Sequence, residues 1–207
     1  MLLDFIRHWE VAGDPVAMVA NRERLFVTGS DDDQGLEVMA TLAAKEIEHE
    51  RWISGMAFRL DGDDWQPWFP PTSHRHYPAF KTLWMQTLGR TYADQAELLN
   101  ARHEKEGVDI FVASYSGMQN ESTGELFSYC VWSEGVHSLL PETDRILLFR
   151  PTSDLQGEVV ASGEWEIVRR VVGDWMEPQG LYPERWRARE YPSKSMLEQI
   201  GRLAEPA

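Results

Sequence analysis

Three stretches between Val108 and Arg150 carry apolar side chains on both faces of an extended chain, and they predict the central strands of the fold. In Val108–Tyr115, Ile110 and Val112 oppose Phe111 and Tyr115. In Glu125–Trp132, Leu126, Cys130 and Trp132 oppose Phe127, Tyr129 and Val131, and Asp144–Arg150 supplies the third strand. Strands apolar on both faces belong in the middle of a sheet covered on both sides. The turn formers of Ser116–Gly124 read as a loop between the first two.

Elsewhere the pattern switches between the two regular periods. Val16–Ala20 and Leu25–Thr28 flank a turn at Asn21-Arg22-Glu23-Arg24, and Met56–Leu60 and Trp65–Phe69 flank Asp61-Gly62-Asp63-Asp64. Both pairs predict hairpins. Helical spacing appears from Gln34 to about Arg51, with Leu36, Met39, Ala43 and Ile47 on one stripe. Further helices are expected over Leu2–Val11, from Pro78 to about Leu88, and from Thr91 to Glu106-Gly107. Another follows Ser162, burying Trp165, Val168, Val172 and Trp175, and a last one is opened by the capping box at Ser195. Hairpins and helical pairs in mixed order predict an α+β fold. The expectation is a single domain over residues 1–207, with a mainly antiparallel central sheet covered by helices.

Composition supports a packed core and narrows the partners. The 207 residues are 43% hydrophobic and include nine Trp, enough for one sizeable core. The net charge of −14, from 20 basic and 34 acidic residues, is the reverse of what neutralising phosphates requires. No nucleic acid and no anionic membrane surface is therefore expected, and a basic protein is the complementary partner. The charge is uneven. Residues 108–168 hold ten acidic and two basic side chains, a net of −8, while residues 185–202 hold five basic and two acidic, a net of +3.

Cys130 has no second thiol to pair with, which suits a reducing cytoplasm, and its place in an apolar strand marks it as core. Charges interrupt Met1–His8 where a signal peptide needs an apolar run, and no apolar stretch reaches spanning length. The pattern specifies no oligomeric state.

Three constellations are candidates for function. His74 and His76 would share a face in an extended chain, and with a carboxylate they would begin a metal site or a hydrolytic centre. Trp65, Trp68 and Phe69, stiffened by prolines, would form an aromatic platform for a ligand or partner; the competing expectation packs Trp65 and Phe69 inward. Arg185, Arg187 and Arg189 alternate with Trp186 and Ala188, which in a strand aligns three guanidiniums as an anion site or as partners for the chain's own acids. Phosphate loops, nucleophile elbows and dinucleotide fingerprints are absent. His49-Glu50 lacks the second His of a zinc helix, because Ile53 stands there. No cofactor is expected. The sequence thus favours a soluble, non-catalytic binding or regulatory protein whose acidic surface engages a basic protein, toxin neutralisation being one concrete form. The alternative is a metal-dependent or hydrolytic enzyme using His74 and His76.

Overall fold

Alternating apolar residues and tight turns build the first part of the chain as expected. A computed structural model describes residues 5–49, 51–152 and 157–204, and the chain divides into two compact units, Met1–Thr87 and Leu88–Ala207. In the first unit β1 (Pro15–Asn21) and β2 (Arg24–Gly29) form one hairpin. The strands β3 (Ala57–Asp61) and β4 (Asp64–Trp68) form the other. All four make one antiparallel sheet in the order β2-β1-β3-β4. Gly62 closes the second hairpin at φ 59°, a left-handed conformation that glycine adopts without steric cost.

Helix α1 (Asp33–Glu46) packs Leu36, Met39 and Ala43 against Val16 and Met18. Asp32 caps it, accepting from the Gly35 amide at 2.9 Å and from the Thr28 hydroxyl at 2.9 Å. The Gly35 hydrogen bond, with help from Thr28, holds the Asp32 carboxyl below its usual range. The helix stops at Glu46, short of the expected Arg51, while Ile47 stays buried.

Helix α2 (Tyr77–Glu106) runs without interruption, where two helices were expected to meet near Leu88–Thr91. Gly89 costs about 1 kcal/mol relative to Ala, too little to break a 30-residue helix that contains no internal proline. Its missing side chain leaves room for Tyr115, whose ring would stand 3.7 Å from a Cβ there. Phe80 and Leu83, near the start of α2, join the core of the first unit.

The second unit holds β5 (Phe111–Val112), β6 (Ser116–Gln119), β7 (Leu126–Ser133), β8 (Ser138–Pro141), β9 (Arg145–Pro151) and β10 (Gly157–Glu164). After these come α3 (Trp165–Val172), a 3-10 turn, β11 (Met176–Pro178), β12 (Arg185–Ala188) and α4 (Lys194–Ala204). One sheet has the order β10-β9-β7-β6, with β7 and β9 parallel. The other has the order β11-β12-β8-β5, with β5 and β8 parallel. The remaining pairs in both sheets are antiparallel.

The fold is α+β and mostly antiparallel, but three four-stranded sheets replace the single central sheet that was expected. Val108–Tyr115 does not join the other two long strands. It supplies only the two residues of β5, then crosses at Ala113–Tyr115 into β6, within the stretch expected to be a loop. Tyr115 is held at this crossing by stacking on Tyr92, with ring centroids 5.3 Å apart. β8 passes unnoticed in the sequence because all four residues are buried, which removes any alternation.

Helices cover one face of the sheet β10-β9-β7-β6. Cys130, Trp132, Ile146 and Leu148 face a core completed by Trp165, Val168, Leu197 and Ile200 of α3 and α4. A Cβ on Gly163 of β10 would stand 2.9 Å from Ile200 and 3.2 Å from Val168, so the helices lie against this face. No helix among the described residues is long and apolar enough to cross a membrane.

Candidate interaction surface

Strand geometry puts successive side chains on opposite faces, so burying Cys130, Trp132, Ile146 and Leu148 turns their neighbours the other way. Register then assembles those neighbours into rows. Val131 lies beside Leu147, Ser133 beside Phe149, and Phe149 beside Val159 across β7, β9 and β10. Met118 of β6 lies beside Phe127. The result is a mainly apolar face, interrupted by Ser133 and by Ser162 beside Leu147, on which Met118 is 45% exposed, Val131 36% and Val159 54%, while Phe127 is buried. Tyr129, Leu147 and Phe149 are half-buried there. Within this unit α3 and α4 pack on the opposite side of the sheet.

Charge is arranged around the apolar rows. Tyr129, Arg145 and Glu164 share one row, and Arg145 lays its guanidinium over the Phe127 ring at 4.5 Å. The same guanidinium donates to Glu125 at 3.2 Å. Glu121 stands exposed in the β6–β7 turn. Acids therefore outnumber the one base along this border.

A buried polar clamp fixes the register beneath. The Ser128 amide and hydroxyl donate to Asp144 Oδ2 at 2.7 and 2.8 Å, and the Asp144 amide donates back to Ser128 Oγ at 2.8 Å. Buried groups nearby are displaced from neutral chemistry. Burial pushes the Cys130 thiol up to about 12 and the Tyr115 phenol up to about 12. A thiol so placed is no nucleophile at neutral pH.

The three arginines do not form the expected ladder. Arg185 is fully buried. It donates to Gln95 Oε1 at 2.6 Å, to the carbonyls of Ala113 and Leu139 at 2.8 and 3.1 Å, and to the Tyr92 carbonyl at 3.0 Å. Burial lowers its pKa to about 10. Arg189 is exposed and paired with Glu177, and Arg187 sits opposite Glu177 in register. Trp186 packs on the core, edge-on to Trp165, with Arg169 over its ring at 4.1 Å. Only a position inside the unit, unreadable from the local pattern, separates Arg185 from the other two.

The aromatic residues divide as well. Trp68 and Phe69 pack on the core of the first unit, Trp68 edge-on to Phe80 and Phe69 4.7 Å from Trp84. Trp65 pairs with Leu60 on the other side of β4 and is half-buried. The expected inward pairing of Trp65 with Phe69 is thus replaced by Trp68 with Phe69, because the chain leaves the strand after Trp68.

His74 and His76 do converge on a carboxylate, that of Asp33 at the start of α1, at 3.5 and 3.3 Å. Arg75 lies among them, pairing with Asp33 and donating from Nε to His76 Nε2 at 3.0 Å. The Arg75 guanidinium therefore engages both the Asp33 carboxylate and the ring nitrogen of His76. Among the described residues no group of three or more His, Cys, Asp or Glu side chains is placed to hold a metal ion. Glu46, which the sequence reading passed over, is a buried carboxylate in a cleft of about 380 Å³ beside His49 and Arg51. Asn21 and Arg24 each donate to one of its oxygens.

The apolar sheet face went unrecognised because both faces of its strands read as core. The side on which α3 and α4 pack is set by the tertiary fold and carries no local signal. Comparisons of the chain with protein-family models, curated proteins and solved structures found no match.

Proposed function

We propose that the protein is a non-catalytic binding protein that docks a basic protein partner on the apolar face of the sheet β10-β9-β7-β6. The observation that supports this most is the set Met118, Val131 and Val159, exposed together on one face with glutamates at its border. Contiguous exposed apolar surface rimmed by charge is the composition of an interaction site.

The border chooses the occupant. Glu121, Glu125 and Glu164 against Arg145 favour lysines and arginines opposite, and the net charge of −14 extends that attraction to long range. A second copy is the poorer fit, since it carries the same net charge of −14 and is repelled at long range. The partner so described presents an apolar patch fringed by bases.

Capture from lysate tests this when wild type is compared with Val131→Asp and Val159→Asp at low and high salt. Both positions are exposed, so the variants should fold. The expected result is a basic protein that binds wild type, binds more weakly as salt rises, and is lost by both variants. No capture of a basic protein, or capture unchanged in the variants, contradicts the proposal.

A further inference from the structure

The C-terminal turn of α2, residues 108–110, the start of β5 and the turn between β7 and β8 enclose a second cleft, of about 620 Å³. That volume lies within the range of small-molecule sites. The chain is folded around it by backbone bonds. Val108 donates its amide to the His103 carbonyl at 2.9 Å, ending the helix, and Phe111 donates to the His137 carbonyl at 2.9 Å.

Among the described residues, the only carboxylates in its lining belong to Glu104 and Asp109, and they stand beside Asn100, His103 and His137. Glu104 and Asp109 contribute two carboxylates that form no ion pair with the described residues, and no Lys or Arg lines the cleft. Lys105, in the same turn, lies outside the lining. The ring of His103 sits with Nδ1 3.2 Å from the Ile110 carbonyl oxygen. A carbonyl has no proton to give, so Nδ1 is the donor in this contact. The negative end of the α2 dipole adds to the same sign. Apolar surface accompanies these acceptors, with Phe111 57% exposed, Val136 38% and Val108 37%. An exposed aromatic ring beside unpaired carboxylates favours a cation with an apolar body, through the ring face as well as the charges.

We propose that this cleft binds a small organic cation, an ammonium or guanidinium group on a short apolar stem. The site is separate from the sheet face, and the proposal stands independently of the partner reading. The same chemistry arrives either as a free amine or as a Lys or Arg side chain of another protein.

The full chain is titrated with agmatine, with butylammonium, with neutral butanol and with Nα-acetyl-lysine amide, whose side-chain ammonium is free, following ligand signals and the ring resonances of Phe111 by NMR. Saturable binding of agmatine and butylammonium in the millimolar range or tighter is expected, with none for butanol. The double variant Glu104→Gln/Asp109→Asn should weaken both by roughly tenfold or more, and Phe111→Ala by several-fold. All three positions are exposed, so melting temperatures should stay near wild type. Tighter binding of the free amines than of acetyl-lysine amide assigns the site to a small molecule, and the reverse assigns it to a side chain. Absence of saturable binding, equal binding of butanol, or unchanged affinity in the double variant overturns the proposal.

Discussion

The ring of Phe149 lies across the backbone of Gly157, so that a Cβ on that glycine would stand 2.1 Å from Phe149 Cζ and 2.7 Å from the Arg150 carbonyl oxygen. Gly157 opens β10 beside the end of β9, and its bare backbone lets the aromatic ring lie flat on the apolar sheet face. Gly157→Ala should therefore force both ring and backbone to move, costing about 1–3 kcal/mol in urea unfolding. A cost near zero would mean that Phe149 is free to leave this face.

Stability among the arginines of the last strand should concentrate on one residue. Arg185→Gln strands the carbonyls of Tyr92, Ala113 and Leu139, each of which accepts from that guanidinium. Relief of a desolvated charge offsets part of the loss, and a net cost of about 2–4 kcal/mol is expected. Arg187→Gln and Arg189→Gln should cost about 0–1 kcal/mol. Equal costs for the three in denaturant titrations would contradict the buried assignment of Arg185.

Alkaline pH should destabilise the protein in a defined window. Cys130 is raised from an ordinary 9.0, and Tyr115 and Tyr191 from 10.0, each to about 12, in every case mainly by burial. The folded chain keeps these protons where the unfolded chain has released them, so stability is complete below pH 9 and falls as pH rises toward about 12. Arg185, lowered to about 10, works in the opposite direction above that value, as a single group against these three and Tyr92, whose phenol burial also raises. Tyr115→Phe should flatten the fall between pH 10 and 12. A stability constant across this range would show that the phenols are not held protonated.

Much of the fold is legible in the sequence where local chemistry decides it. The turn at Asp61-Gly62-Asp63-Asp64 needs a left-handed glycine and has one, and the stripes of α1 and α3 repeat at helical spacing. Long-range placement is not legible. Nothing near Val112 signals that the chain will change sheets at Ala113–Tyr115, since that depends on Tyr92 and Ser128, both more than ten residues away. The convergence of His74 and His76 on Asp33 is set by the path between two distant segments, and so is the burial of Arg185. The apolar sheet face lay hidden for a different reason. Val131 and Leu147 look like core residues, and only the side of the sheet on which α3 and α4 pack distinguishes them from Cys130 and Ile146.

Methyl NMR of valine- and leucine-labelled protein tests the docking surface most directly. On titration with the basic protein that the wild-type chain captures, the methyl signals of Val131, Leu147 and Val159 should shift together. Those of Val16 and Val168, fully buried elsewhere, should stay in place. The affinity should fall roughly tenfold or more as salt rises from about 50 to about 500 mM, as expected of an acidic border meeting bases. Shifts confined to other methyls, with Val131, Leu147 and Val159 unmoved at saturation, would contradict the assignment of this face as the binding surface.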